Sequence, residues 1–227
     1  MKVIAHIESS FPTKFGIPHQ SGKIDALKAR IVFEPPYRNR EALRGLEEFS
    51  HIWLIWEFSE ARRDDWSPTV RPPRLGGNRR MGVFATRSPF RPNPIGLSSV
   101  RLEGILQDKE LGPVLLVAGA DLMDGTPIYD IKPYIHSDCH PDAAGGFTDH
   151  TEMPHLSVHI PPELSGRVPE EQREALLEVL SSDPRPRYQK DPDRVYGMPF
   201  AGLDVRFRVR EGSLEVVDII KFEPEDR

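Results

Sequence analysis

Proline is the residue that most limits how this chain can fold. It occupies 23 of the 227 positions, about twice its average usage of roughly 5%. Each proline fixes the backbone angle φ and lacks an N–H donor, so a long helix tolerates few of them. The composition therefore argues against a helical bundle and predicts a mainly β protein whose strands are joined by rigid loops.

Short apolar segments follow one another closely in residues 1–135. Their patterns predict strands at residues 2–8, 26–34, 51–58, 81–86, 97–106, 113–120 and 127–135. The segment HIWLIWEF at 51–58 is apolar on both faces, which predicts a strand buried on both sides. Apolar residues at three-residue spacing predict one short helix at 40–49. This pattern predicts a β-barrel or a β-sandwich over residues 1–135.

The remainder of the chain has a different pattern. Residues 136–162 are polar and contain glycine and histidine, which is typical of a linker or a long loop. Residues 163–227 contain a helical segment at 169–180 and strand segments at 205–210 and 214–222. The turn Glu-Gly-Ser between these strands favours a hairpin. We expect a small α+β domain over residues 163–227.

Charge is distributed unevenly along the chain. The net charge is −5, yet residues 62–91 hold eight arginines against two aspartates. A basic segment on an acidic protein indicates a local site for an anion. The single cysteine excludes an intrachain disulfide, and no apolar run approaches the roughly 20 residues that span a membrane. We therefore expect a cytoplasmic protein without a membrane segment.

The densest motif is GVFATRSPFRPNPIG at residues 82–96. Its three prolines hold Phe90, Arg91 and Asn93 in near-extended backbone, which places their side chains before any ligand arrives. Arg87 and Arg91 can each offer paired donors to a carboxylate or a phosphate. A rigid barrel connection with solvated arginines explains the motif equally well at this point.

Acidic residues after a predicted strand form a second candidate site. Asp121 and Asp124 follow the apolar segment 113–120, where carboxylates can bind a ribose diol or an amine, although Asp-Gly is also a common turn. An acid, a cation and an aromatic residue lie just beyond them, at Asp130, Lys132 and Tyr134. A strand with one polar face is the alternative for this last group.

Two further groups of residues are weaker candidates. In the segment 205–210, apolar residues alternate with Arg206, Arg208 and Arg210. These arginines could bind along a phosphate backbone or form a solvated outer face of the strand. Cys139 could act as a nucleophile or join a metal site with His136, His140 and Asp142. Their spacing matches no standard zinc pattern, so we expect an exposed polar loop and no metal.

These motifs together resemble the TrmO family, which is also called TsaA-like or YaeB-like. The resemblance runs through LRGLEEFSHIWLI (43–55), WSPTVRPPRLGGNRRM (66–81), GVFATRSPFRPNPIGLS (82–98) and DLMDGTPIYDIKPY (121–134), and extends weakly to DPRPRY (183–188) and VRFRV (205–209). It implies a β-barrel methyltransferase without a Rossmann domain. It also implies that the protein is a homodimer that binds S-adenosylmethionine near the subunit interface. The implied reaction methylates the exocyclic amine of threonylcarbamoyladenosine, just 3′ of the anticodon in threonine tRNA.

The resemblance also implies a set of cofactor contacts, which are Pro18, His19, Gln20, Ser59, Glu60, Arg87, Leu97, Asp121, Leu122, Met123 and Asp124. From the chemistry of the acceptor we expect Asp124 or Asp130 to take the amine proton and an arginine such as Arg91 to bind the threonyl carboxylate. The remaining substrate contacts are expected at Arg74, Arg79, Arg80, Asn93, Lys132 and Tyr134. Two alternatives stay open: a non-catalytic RNA-binding barrel, and a methyltransferase with a different acceptor.

Overall fold

The structure is a computed structural model that describes residues 1–61, 65–75, 79–150, 155–186, 189 and 191–223, with the backbone alone for Arg74. The strands of the described residues are β1 (Ala5–Glu8), β2 (Lys28–Phe33), β3 (His51–Glu57), β4 (Thr69–Val70), β5 (Met81–Gly82), β6 (Ile95–Asp108), β7 (Gly112–Ala118), β8 (Pro127–Pro133), β9 (Ser157–His159), β10 (Tyr196–Phe200), β11 (Leu203–Arg210) and β12 (Ser213–Lys221). Their α-helices are α1 (Pro162–Ser165) and α2 (Glu170–Ser181). Short 3-10 helices lie at Pro35–Tyr37, Arg40–Leu43, Leu46–Glu48, Ser59–Ala61, Pro73–Leu75, Val83–Ala85, His136–Asp138 and Gly146–His150.

The strands β1, β2, β7, β6, β3 and β8 form a closed barrel in that order. Neighbouring strands are antiparallel throughout, and the pairing of Ala5 with Ile128 helps to close the ring between β1 and β8. Branched apolar side chains fill the interior, among them Ile7, Ile31 and Leu115, which are fully buried. Each such side chain contributes roughly 1.5–3 kcal/mol by leaving water. The barrel is therefore a packed core and not a pore.

A second sheet has the order β10, β11, β12 and β9, and α2 packs its apolar side into the same core. The connection between β1 and β2 contributes Phe11, Ile24 and Leu27 to this core. Phe11 meets Phe200 edge to face at 5.4 Å between ring centroids. Removal of the second sheet would therefore expose apolar residues of the first half of the chain.

The structure confirms the predicted fold class, which is a mainly β protein with a barrel and a smaller α+β part. The strand predicted at 51–58 is present, but the prediction that both of its faces are buried is wrong. Ile52, Leu54 and Trp56 point inward and are buried, whereas Trp53 and Ile55 on the outer face are only half-buried. A strand in an antiparallel barrel has its inner face alone covered by the core.

Two local predictions before the central motif also differ from the structure. The predicted strand at 81–86 ends after Met81–Gly82 because its partner β4 has only two residues. The chain then turns into the 3-10 helix Val83–Ala85. The predicted helix at 40–49 is divided into two 3-10 helices at Gly45, whose φ of 84° interrupts the helical backbone.

Two strands of the second sheet lack a clear sequence signal. The strand β9 lies within the segment 136–162 and pairs in parallel with β12, while β10 contains both Gly197 and Pro199. Proline is tolerated there because β10 is an edge strand. None of the described helices is both long enough and apolar enough to cross a membrane.

Candidate active-site cleft

The described residues enclose an open cleft of about 1370 Å³ beside the central motif. Its walls come from the β1–β2 connection (His19, Gln20), from residues 65–73, from residues 80–90 and from residues 144–148. Of the side chains that the structure describes, the arginines Arg71, Arg80 and Arg87 line it, together with the acidic Asp65. The cleft therefore combines part of the basic segment with part of the predicted cofactor set.

Arg91 stabilises the conformation of the central motif by hydrogen bonds to its backbone. Its Nη1 atom donates to the carbonyl oxygen of Thr86 at 2.8 Å, and also to those of Ser88 at 3.4 Å and Val83 at 3.5 Å. Its guanidinium carbon lies 5.9 Å from the centroid of the Phe84 ring. Arg91 thus has a structural function in the loop, and its contact with a substrate carboxylate stays a prediction.

A chain of hydrogen bonds links the barrel interior to the predicted acids. Trp56 Nε1 donates to Ser98 Oγ at 3.0 Å, and Ser98 Oγ donates to Asp121 Oδ1 at 2.6 Å. Gly96 lies against the Trp56 ring, because a Cβ atom there would have three ring carbons within 2.6 Å. The last glycine of the central motif therefore provides the space in which Trp56 reaches Ser98.

Asp121 is the predicted acid with a perturbed proton affinity. Burial raises the pKa of its carboxyl group above the ordinary value, and the hydrogen bond from Ser98, backbone hydrogen bonds including one at Ser21, and the charge of Arg87 partly oppose this rise. Arg87 lines the cleft, and Ser21 follows Gln20, which also lines it. Asp121 therefore lies beside the end of the cleft formed by Gln20 and Arg87.

The segment 121–124 also binds the β1–β2 connection directly. Asp124 Oδ1 accepts a hydrogen bond from the backbone N–H of Ser9 at 2.9 Å, and Ser9 Oγ donates to the carbonyl oxygen of Leu122 at 2.9 Å. The backbone N–H of Asp124 donates to the carbonyl oxygen of Phe11. The segment 121–124 therefore lies against the start of the β1–β2 connection, several residues before the predicted contacts at 18–20.

The structure distributes the predicted cofactor contacts over several surfaces. His19, Gln20 and Arg87 line the cleft, while Leu122 is buried and both Pro18 and Met123 are half-buried. Ser59 and Glu60 are exposed in a 3-10 helix after β3. Leu97 points outward from the barrel and is 56% exposed.

The predicted substrate contacts are separated in a similar way. Arg80 lines the cleft, Arg79 and Asn93 are exposed outside its lining, and the side chain of Arg74 lies outside the described residues. Asp130 and Lys132 pair with each other at 3.1 Å on β8, and Tyr134 packs against Trp53 with ring centroids 5.3 Å apart. These last three residues do not line the cleft.

Several residues of the site were not predicted from the sequence. Trp66 and Phe84 line the cleft together with Phe147 from the segment 136–162. Gly145 is closely packed there against Asp149, and its N–H donates to the Asp149 carboxylate at 2.8 Å. The sequence does contain one feature that could have indicated this loop. Two glycines precede an aromatic residue at 145–147, a pattern typical of a loop that approaches a ligand closely.

The arginines of β11 are accompanied by acids. Arg206 pairs with Asp204 at 3.0 Å, and Arg210 pairs with Asp193 at 2.5 Å. Arg208 lies opposite Glu215 in the neighbouring strand. This balance reduces the net positive charge of the outer face of β11, and contact with tRNA at this face stays a prediction.

The histidine and cysteine residues of the segment 136–142 lie on the surface. Cys139, His136, His140 and Asp142 are exposed, and Asp138 accepts a hydrogen bond from Trp53 Nε1 at 2.8 Å. Within the described part of the chain, no three His, Cys, Asp or Glu side chains are grouped so that they could hold a metal ion.

Comparison with known proteins identifies the family. Residues 6–139 match the model of the tRNA-methyltransferase O N-terminal domain, and residues 153–222 match that of the TrmO C-terminal domain. The chain is 40% identical to the tRNA (adenine(37)-N6)-methyltransferase of Escherichia coli K12, over 94% of both chains. It is 42% identical, over 95% of both chains, to a Pseudomonas aeruginosa protein provisionally named as an S-adenosylmethionine-dependent methyltransferase.

A solved structure supports the same assignment. The crystal structure of TrmO from Pseudomonas aeruginosa superposes with a TM-score of 0.76 at 35% sequence identity and covers 96% of both chains. The similarity thus extends over the barrel and the second sheet together. This chain belongs to the TrmO family.

Proposed function

We propose that this protein transfers a methyl group from S-adenosylmethionine to N6 of the adenosine that follows the anticodon in tRNA. The observation that carries this proposal is the similarity to the Escherichia coli tRNA (adenine(37)-N6)-methyltransferase over 94% of both chains. We further propose that the acceptor is threonylcarbamoyladenosine in threonine tRNA, that the protein acts in the cytoplasm, and that it acts as a homodimer.

The cofactor end of the cleft is formed by His19, Gln20 and Arg87, with Asp121 beside it. The donor set fits S-adenosylmethionine, because Arg87 can bind the carboxylate of its methionine part and the amide of Gln20 can donate to and accept from its polar groups. When bound, S-adenosylmethionine supplies an electrophilic methyl group. The cleft residues hold the two reactants in line, which supplies much of the rate enhancement in a transfer of this kind.

The acceptor amine loses a proton during the transfer, since it starts as a carbamoyl-conjugated N–H. Of the three acids predicted from the sequence, Asp121 is the best suited to take this proton, because it lies beside the cleft and burial raises the pKa of its carboxyl group. Asp124 is exposed and accepts from the backbone of Ser9. Asp130 is paired with Lys132. These contacts favour Asp121 over the other two acids.

The threonyl carboxylate of the acceptor requires a cationic partner. Arg71 and Arg80 line the cleft, whereas Nη1 of Arg91 donates to carbonyl oxygens of its own loop. We therefore assign the carboxylate to Arg71 or Arg80. A site built to pair with this group discriminates strongly against unmodified adenosine, because an unpaired partner is costly.

The homodimer is proposed on the outer face of the barrel. Leu97 is 56% exposed there and lies directly opposite Ile55 of β3 in the strand register. Leu97 and the half-buried Ile55 give this face two adjacent apolar side chains, and Leu97 is itself a predicted cofactor contact, which suits a subunit interface next to the cofactor. Analytical ultracentrifugation of the wild-type chain and of a Leu97→Asp variant tests this, with a monomeric variant as the expected result.

Nucleoside mass spectrometry of tRNA tests the reaction itself. Threonine tRNA from cells that carry the gene should contain the methylated form of threonylcarbamoyladenosine, and tRNA from cells without it should not. Purified protein with S-adenosylmethionine should restore the modification, and tRNA that lacks the threonylcarbamoyl group is the matched control. Methylation of both tRNAs alike would exclude the proposed acceptor. An absence of S-adenosylmethionine binding in calorimetry would favour a non-catalytic RNA-binding barrel.

A further inference from the structure

Two aromatic side chains stand exposed on the wall of the cleft. Trp66 is 50% exposed and Phe84 is 71% exposed, and their ring centroids lie 6.0 Å apart with 30° between the planes. A single exposed apolar residue is ordinary on a protein surface. A pair of neighbouring rings that line a cleft is a different case, because both are exposed to the same open space.

The charge around these rings indicates what they bind. Arg71, Arg80 and Arg87 line the same cleft, so the apolar faces lie among cationic groups. Aromatic faces stack on nucleobases while arginines bind the adjoining phosphates, and this combination is typical of sites for single-stranded RNA. An apolar peptide would have no use for three arginines at the same place.

The central motif holds one of the rings in position. The guanidinium of Arg91 lies 5.9 Å from the centroid of Phe84, and its Nη1 atom donates to the carbonyl oxygens of the same loop. This contact restricts the movement of the ring, and a ring that moves less loses less conformational entropy when a base stacks on it. The proline loop thus prepares a binding surface as well as the cofactor end of the cleft.

We propose that Trp66 and Phe84 form a stacking platform for an unpaired nucleobase that flanks the methylated adenosine. From the high exposure of both rings we infer that the platform lies at the mouth of the cleft, whereas a base that receives a methyl group has to lie beside the cofactor end. This proposal rests on the proposed function, because it takes RNA as the substrate. It assigns a binding contribution to residues that touch a neighbour of the reacting base.

The test compares protein variants with RNA variants. Affinity is measured by fluorescence anisotropy at fixed salt with anticodon stem-loops that carry threonylcarbamoyladenosine, intact or abasic at the nucleotide on either side of it. Trp66→Ala and Phe84→Ala should each weaken binding of the intact RNA by roughly 5- to 150-fold, which is the usual range for loss of one base–aromatic stack. Trp66→Phe is the matched control that keeps a flat ring, and its affinity should stay close to wild type.

The abasic RNAs identify the contact. For one of the two abasic RNAs, the wild-type protein should bind more weakly than to the intact RNA. Trp66→Ala should weaken binding of that RNA little further, because the base that stacks on Trp66 is already absent. If Trp66→Ala weakens all the RNAs by the same factor, or if neither alanine variant weakens any of them, the platform is refuted. A change in S-adenosylmethionine affinity or in oligomeric state in these variants would also refute it.

The same preparations separate this inference from the proposed function. Methyl transfer by the wild-type protein to the intact stem-loop is measured first, with purified threonine tRNA as a second substrate. A wild-type protein that transfers no methyl group to either RNA overturns the proposed function, while the binding data still decide on the platform. An active wild type with unchanged RNA affinity in both alanine variants overturns the platform alone.

Discussion

Substitution of Gly96 by alanine tests how the central motif is joined to the barrel. An added Cβ atom would have three carbons of the Trp56 ring within 2.6 Å, which is closer than any stable contact. Because Gly96 lies directly opposite Trp56 in the pairing of β6 with β3, the ring has to move. Its movement would break the hydrogen bond from Trp56 to Ser98, whose length is 3.0 Å.

The cost has two parts. Overpacking of a core by one methyl group costs about 1–3 kcal/mol, and an unpaired N–H in the buried Trp56 ring adds about 1–3 kcal/mol. We expect Gly96→Ala to lower the free energy of unfolding by about 2–6 kcal/mol. For a chain of this length, each kcal/mol shifts the melting temperature by about 2–4 °C, so the expected drop is about 4–24 °C.

Urea-induced unfolding followed by circular dichroism measures this difference. Gly104 is the matched control, because it lies in the same strand and an added Cβ atom would have no heavy atom within 4 Å. Gly104→Ala should leave the stability unchanged or raise it by up to about 1 kcal/mol. If the two variants are equally stable, the close packing of Gly96 and Trp56 does not determine the position of the ring.

Three further predictions concern the site and the outer face of β11. Burial raises the folded-state pKa of Asp121, so the ionised carboxylate lowers the stability of the wild type once the pH exceeds about 4. The stability gained by Asp121→Asn in urea titrations should therefore grow from that pH and level off above the raised pKa. A difference that does not change with pH would contradict this. Arg87→Ala should weaken S-adenosylmethionine binding by roughly 10- to 100-fold in calorimetry, since a hydrogen bond to a charged group contributes about 1.5–3 kcal/mol, whereas Arg79→Ala outside the cleft should have little effect. The double variant Arg206→Gln, Arg210→Gln should change tRNA affinity by less than about threefold, because acidic partners already neutralise both arginines. A large loss of affinity with a shallower salt dependence would instead establish a phosphate contact on β11.

Much of the architecture could be predicted from the sequence. The proline content excluded a helical bundle, and alternating apolar residues located the six strands that close the barrel to within a few residues. These features are local, because strand periodicity and the backbone limits of proline depend on adjacent residues. The family motifs were also readable, since they are contiguous stretches such as residues 82–98.

Sequence patterns were insufficient wherever long-range packing decided the outcome. The strand β10 was missed because its glycine and proline are tolerated only at the edge that it occupies. The contribution of Phe11 to the second core depends on contacts with residues nearly two hundred positions away. The folding of residues 144–148 onto the cleft likewise leaves no periodic pattern in the sequence.

The roles of individual residues in the site were decided by the tertiary structure. The sequence by itself determined that Arg91 sits in a rigid, basic loop, and only the fold showed that its Nη1 atom binds the carbonyl oxygens of that loop. The sequence placed Asp121 after an apolar strand, and burial beside Ser98 gave it a raised pKa. Side-chain partners and burial depend on distances between segments far apart in the chain, and closure of the barrel sets those distances.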